Sequence, residues 1–307
     1  MPAFIILALY CLTFCLPISL SAGDIISDSV VSNLDCSDLS QESFLKSFQQ
    51  QPRTSKEWHI PVQNWSFSVG LYDLAGCWSL SRSQRLITYL GRTELKATPA
   101  LIESSLNQFR KYIPWLDEEG RTRFSVHRQY QWIPWGREAF SSYQKGFTSE
   151  DFTRNFKNDI EAYQNLRFHR IQNIGMIRGD RERSRSQNQK SFLRLKANLE
   201  QNKITLVNLR PKRTVQHVVM IKDMTLTHRG HYEFRVYDSN YPFKDQFFSY
   251  DPQTQHFYAP EIIKAFRTVS QPEAAVGLYI VDEKEREDLI EALVKTYQRM
   301  CRSMNGR

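Results

Sequence analysis

An α+β domain is predicted by three features of the chain. Helical periodicity dominates residues 77–201, whereas residues 203–281 carry short apolar or alternating runs separated by turns. The two kinds of element are segregated rather than alternating, which argues against βαβ units. At 307 residues the chain can bury a substantial core, as one large domain or two small ones.

The first 22 residues have the layout of a secretory signal peptide, and residues 23–60 read as a polar N-terminal arm. No charged side chain precedes Asp24, an apolar run ends at Pro17, and the small residues Ser19, Ser21, Ala22 and Gly23 follow. Cleavage near Ala22 makes the protein secreted or periplasmic. An uncleaved membrane anchor is the alternative, because the run nearly reaches spanning length. Bulky Tyr10 and Phe14 before Cys11 and Cys15 argue against lipid attachment. Cleavage leaves Cys36, Cys77 and Cys301, an odd number, so at least one thiol stays unpaired. Cys36 and Cys301 can pair and tie the chain ends together, but sequence does not decide it. The chain has no CxxC pair and no HExxH, so no metal site and no cofactor are expected.

Along the remaining chain, "HIPVQNWSFSVG" (59–70) reads as a strand or extended segment, with Val62, Trp65, Phe67 and Val69 partly alternating. It includes the sequon Asn64-Trp65-Ser66. From Cys77 to about Leu90, the spacing of Leu80, Ser83, Ile87 and Leu90 predicts a helix. Pro99 suits the first turn of a second helix over 99–113, and Ser149 followed by acidic residues opens a third over 149–168. The apolar-free run 178–190 is expected to be an exposed loop, followed by a helix over 190–201. Strands are expected at 203–209, 214–223, 231–238 and 276–281. A hairpin of 246–250 and 256–260 is expected around "DPQTQ", and a last amphipathic helix over 283–304.

The most informative cysteine lies in "LAGCWSLSRSQR" (74–85). A cysteine at a helix start has its thiolate stabilised by the positive end of the helix dipole. A neighbouring imidazole can take the thiol proton, and a third polar group can orient that imidazole. Of seven histidines, His217 opens the apolar stretch "HVVMI", where a polar ring needs a reason. If 215–223 and 231–239 pair as an antiparallel hairpin, His217 falls beside Asp238, with Asn240 just past the strand. The bland readings are that Cys77 is core filler, His217 is a core ring bonded to backbone, and "YDSNYP" is turn chemistry. His231 is a reserve base, His228 reads as solvated, and His127 lies among aromatics.

"GCWSLS" resembles the cysteine-bearing helix start of papain-like cysteine peptidases, and "QHVVMI" followed by "YEFRVYDSN" resembles their histidine strand and orienting residue. The order Cys, His, Asn/Asp also fits a distant member of that superfamily, and the resemblance covers about a third of the chain. It implies a papain-like fold over 61–307: a helical lobe with the cysteine helix at its start, packed against an antiparallel β lobe, with an insertion at about 115–190. It implies the nucleophile Cys77, the general base His217, and Asp238 or Asn240 as orienter. The Cys77 N–H would help hold the oxyanion. The second donor is usually a glutamine shortly before the cysteine. "VGLYDLAG" contains none, and Gln63 or Asn64 reaches the site only if the intervening segment loops.

The leading expectation is an exported cysteine hydrolase, a peptidase or amidase, whose partner is a peptide or amide substrate. One alternative is a catalytically inactive papain-like fold serving as a binding module. Another is a basic surface- or polyanion-binding protein, suggested by 41 Lys and Arg against 33 Asp and Glu and a net charge of +8. Nucleic acid is not an expected partner, because the Arg-rich run lacks interleaved aromatics. A membrane is a partner only if the leader is uncleaved. Oligomeric state is open.

Overall fold

Six antiparallel strands from the second half of the chain close into a barrel in the computed structural model. The structure describes residues 59–69, 72–93, 97–110, 133–135, 142–143, 146–174, 184–212, 215–262 and 275–281, with 294 and 298 singly. The expected leader, most of the N-terminal arm, Cys36, His127, Cys301 and all of the last helix but residues 294 and 298 lie outside the described residues.

Before the barrel, the hairpin β1 (Ser66–Val69) and β2 (Tyr72–Ala75) leads directly into helix α1 (Cys77–Leu90). A short parallel pair, β3 (Gly91–Thr93) and β4 (Ile133–Trp135), flanks helix α2 (Pro99–Arg110). Helices α3 (Glu150–Ile174) and α4 (Arg185–Glu200) follow. The barrel strands are β5 (Leu206–Lys212), β6 (Val215–Leu226), β7 (Tyr232–Tyr237), β8 (Gln246–Asp251), β9 (His256–Tyr258) and β10 (Ala275–Val281). Each pairs with the next in sequence, and β10 returns to pair with both β9 and β5.

This architecture corrects the papain-like α+β expectation of a helical lobe against an antiparallel β lobe. The return of β10 to β5 makes the sheet a closed barrel, with four helices among the described residues. That pairing joins segments far apart in sequence, so no local pattern announces it.

The barrel fills with alternate side chains, as the two-residue period of a strand requires. Phe234 and Val236 of β7 are fully buried, and Tyr232 packs on the same cluster. Val219 and Ile221 of β6 face Val207 and Leu209 of β5 in that cluster. The β5 register shifts between Leu209 and Lys212, where Pro211 has no N–H to give the ladder. Helix α4 adds Phe192 and Leu195 to the barrel core, with Phe192 stacked on Tyr250 at 4.2 Å.

Helix α4 also corrects the expected loop over 178–190. Ser184 and Gln187 form a capping box, so the helix begins at Arg185 inside the polar run. The turn around "DPQTQ" forms as expected. Asp251 accepts from the Gln253 N–H and the Thr254 hydroxyl, while Gln255 takes a left-handed φ of 59°.

If α4 plugs the barrel, Phe192→Ala removes a stacked core ring and is expected to cost about 3–5 kcal/mol. A lowered urea midpoint with an unchanged slope checks this. A midpoint equal to wild type contradicts the packing described.

Candidate functional site

Glycine at position 76 lets the chain turn from β2 into α1 with other elements pressed close. A Cβ there would lie 3.1 Å from Ile160 Cγ2 and 3.4 Å from Asn64 Oδ1. Cys77 is therefore the first helical residue, and no side chain caps the helix through Gly76. Gln164 of α3 accepts instead from the Ser79 N–H and hydroxyl, at 3.3 and 3.0 Å. The face predicted from Leu80, Ser83 and Ile87 is buried, and the small Ser81 lets α1 lie close on β6. Its hydroxyl donates to the Val218 carbonyl at 2.9 Å, one residue from His217.

His217 lies near the start of β6, at the end of the barrel where β7 leaves the sheet. The strands pair with Met220 opposite Tyr237, with a register shift between Ile221 and Asp223. Asp238 therefore continues just past β7 and reaches diagonally to the ring. His217 Nε2 and Asp238 Oδ1 are 2.7 Å apart. The His217 ring also hydrogen-bonds the Cys77 thiol. With Nε2 engaged by Asp238, Nδ1 is the nitrogen left for sulfur. Cys77 and His217 are each 8% exposed and Asp238 is wholly buried, so the three interact with little solvent between them.

The electrostatics follow from that burial. Loss of solvation pulls the His217 imidazole down. The charge and hydrogen bond of Asp238, joined by Cys77, outweigh it and hold the ring well above its ordinary value of 6.5. Asp238 Oδ1 also accepts the Asn240 N–H at 2.8 Å, and the Tyr241 N–H bonds the Asp238 carbonyl at 2.9 Å. The side chain that contacts the His217 ring thus also forms the turn.

The two expected orienters differ in their distance from the His217 ring. Asp238 makes the short contact, while Asn240 Nδ2 stands 3.4 Å from the same nitrogen. His231 is at the far turn of the β6–β7 hairpin, 3.9 Å from Asp251, and His228 is exposed. The intervening segment does loop: the β1–β2 hairpin returns the chain so that Asn64 meets Gly76, while Gln63 is exposed.

Sequence reasoning considered Gln63 and Asn64 but missed residues 59–62 as part of this neighbourhood. His59 is buried, its Nδ1 is 2.7 Å from the Pro242 carbonyl, and its ring meets Tyr237 edge-on at 4.9 Å. The Ile60 N–H donates to Gln84 of α1. Behind the loop, the buried Lys222 ammonium donates to Asp245 at 2.7 Å, and Arg235 pairs with Asp223. None of these residues sits in a recognisable motif. A histidine between Trp58 and Ile60 carries no signal until its partner is known. Among the described residues, no group of three or more metal-ligating side chains is found.

Burial, with the nearby Lys222 charge, lowers His59 to about 3 against the Pro242 hydrogen bond. His59 is therefore neutral when folded, and the unfolded chain takes up the proton first on acidification. Its stabilising contribution is full above pH 6.5 and is lost as pH falls toward about 3. The wild-type urea midpoint is expected to fall more steeply across this window than that of His59→Gln. Parallel curves would contradict the burial of a neutral ring.

Comparison with family models, with curated proteins and with solved structures found no match to this chain.

Proposed function

We propose that this protein is a cysteine hydrolase acting on a peptide or related amide, with Cys77 as nucleophile, His217 as general base and acid, and Asp238 as orienter. The observation that carries the reading is the single buried line of contacts from Cys77 through His217 to Asp238. The chemistry is of the kind performed by papain-like peptidases.

Each residue suits its step. His217 takes the thiol proton, and the thiolate attacks the carbonyl carbon to form a carbon–sulfur bond. The imidazolium then gives its proton to the leaving nitrogen as the carbon–nitrogen bond breaks. Water, deprotonated by His217, attacks the acyl-enzyme and releases the acid, restoring the thiol. An amine in place of water would make the same site a transferase. Asp238 holds Nε2–H and keeps the ring turned toward sulfur. Trp78, with Arg82 stacked 4.5 Å above its ring, packs beside the nucleophile.

A second reading, a binding module without turnover, is favoured by the state of Asn64. Its amide nitrogen is held by Asn240, and its oxygen is buried. It is therefore not presented to substrate as a second oxyanion donor.

The test is the pH dependence of Cys77 alkylation by iodoacetamide, resolved by peptide mass spectrometry. In the wild type, Cys77 is expected to react well below the free-thiol pKa of about 8.5, and His217→Ala is expected to abolish that low-pH reactivity. Asp238→Asn is expected to narrow the window by letting the His217 pKa fall. A Cys77 that stays inert, or reacts alike in wild type and His217→Ala, would overturn the hydrolase reading.

A further inference from the structure

We propose that Asn64 is a positioning residue that locks the helix carrying Cys77 to the turn carrying Asp238, acting through Asn240; this rests on the hydrolase reading above. Nucleophile and base come from elements that share no covalent neighbourhood. Cys77 starts α1, while His217 and Asp238 belong to the barrel. Something must hold the helix start in register with the exit of β7 to within a few tenths of an ångström, because a thiol–imidazole bond tolerates little more.

Asn64 makes that link from three sides. Its N–H donates to the Ser239 carbonyl at 2.8 Å, and its Nδ2 donates to Asn240 Oδ1 at 2.9 Å. Its Oδ1, buried and without a hydrogen-bond partner among the described residues, lies 3.4 Å from where a Gly76 Cβ would be. The NH2 of Asn64 thus faces Asn240, which presents its oxygen to Asn64. The Asn240 N–H then holds Asp238 Oδ1, the atom that receives His217 Nε2. One path of contacts thus runs from the residue before the nucleophile to the atom that orients the base.

The role belongs to Asn64 and not to the backbone alone. The Asn64 N–H reaches only the Ser239 carbonyl, and the bond to Asn240 is made by the side-chain Nδ2. Glycine at 76 leaves room beside it, since a Cβ there would crowd Ile160 at 3.1 Å and come within 3.4 Å of Asn64 Oδ1.

The experiment measures iodoacetamide alkylation of Cys77 in the full-length protein at about pH 6, where a free thiol with a pKa of about 8.5 scarcely reacts. It compares wild type with Asn64→Ala, Asn240→Ala, the double variant and Asn240→Asp. Each alanine variant is expected to lower the rate about tenfold, the worth of one buried hydrogen bond. The double variant should fall no further than either single, because both remove the same bond. Asn240→Asp keeps an oxygen facing the Asn64 NH2 and should stay within about threefold of wild type, which a merely space-filling role would not predict. Should Asn64→Ala fail to fold, the contrast between Asn240→Ala and Asn240→Asp decides alone. Asn64→Ala at the wild-type rate, a double variant falling by the product of the singles, or Asn240→Asp falling as far as Asn240→Ala would each overturn the positioning role. A wild type without His217-dependent reactivity at this pH would overturn the hydrolase reading and this inference with it.

Discussion

The 2.7 Å contact between His217 Nε2 and Asp238 Oδ1 is the constraint on which the rest of the site depends. A carboxylate with no exposed surface needs a partner, since an isolated buried charge costs several kcal/mol. The imidazole supplies that partner and becomes a stronger base by doing so. Because Nε2 faces Asp238, Nδ1 is turned toward Cys77, and a structural necessity doubles as an orientation device. The Asn240 N–H strengthens it by donating to the same oxygen at 2.8 Å.

The scaffold brings the two halves of this site together by different physical means. The barrel places His217 on β6 and Asp238 just past the end of the neighbouring β7, whose pairing with β6 fixes their offset. Helix α1 has no covalent reason to sit there. It is held by polar contacts unusual for a buried helix: Ser81 to the Val218 carbonyl, Ser79 to Gln164, and Gln84 to the Ile60 N–H. Polar bonds of this kind specify one position along the strand, whereas apolar packing alone tolerates sliding. The segment 59–64 then crosses from helix to turn and fastens both.

Much of the site was legible because its residues break local rules. A histidine at the head of "HVVMI" and a cysteine after Ala-Gly at a helix start are each odd for their surroundings, and hairpin logic alone brought His217 to Asp238. The choice between Asp238 and Asn240 was not legible, since both sit in the same turn and only side-chain reach separates them. Barrel closure was hidden for a different reason. The β5–β10 pairing spans the whole strand-rich half, and a β-strand carries the same alternation in an open sheet as in a closed one. The start of α4 was missed because Ser184 and Gln187, its capping box, lie in a run whose lack of apolar residues reads as loop. Asn64 looked like a remote amide until the β1–β2 hairpin folded ten residues out of the way.

Asp238 and Cys77 together hold the proton on His217, and titration of the His217 ring by NMR in wild type and Cys77→Ala measures this. The wild-type imidazolium is expected to persist well above pH 6.5 and to lose its proton at lower pH once the sulfur is gone. A ring that titrates near 6.5 in both proteins would contradict it, because His217 would then feel neither the buried carboxylate nor the thiol.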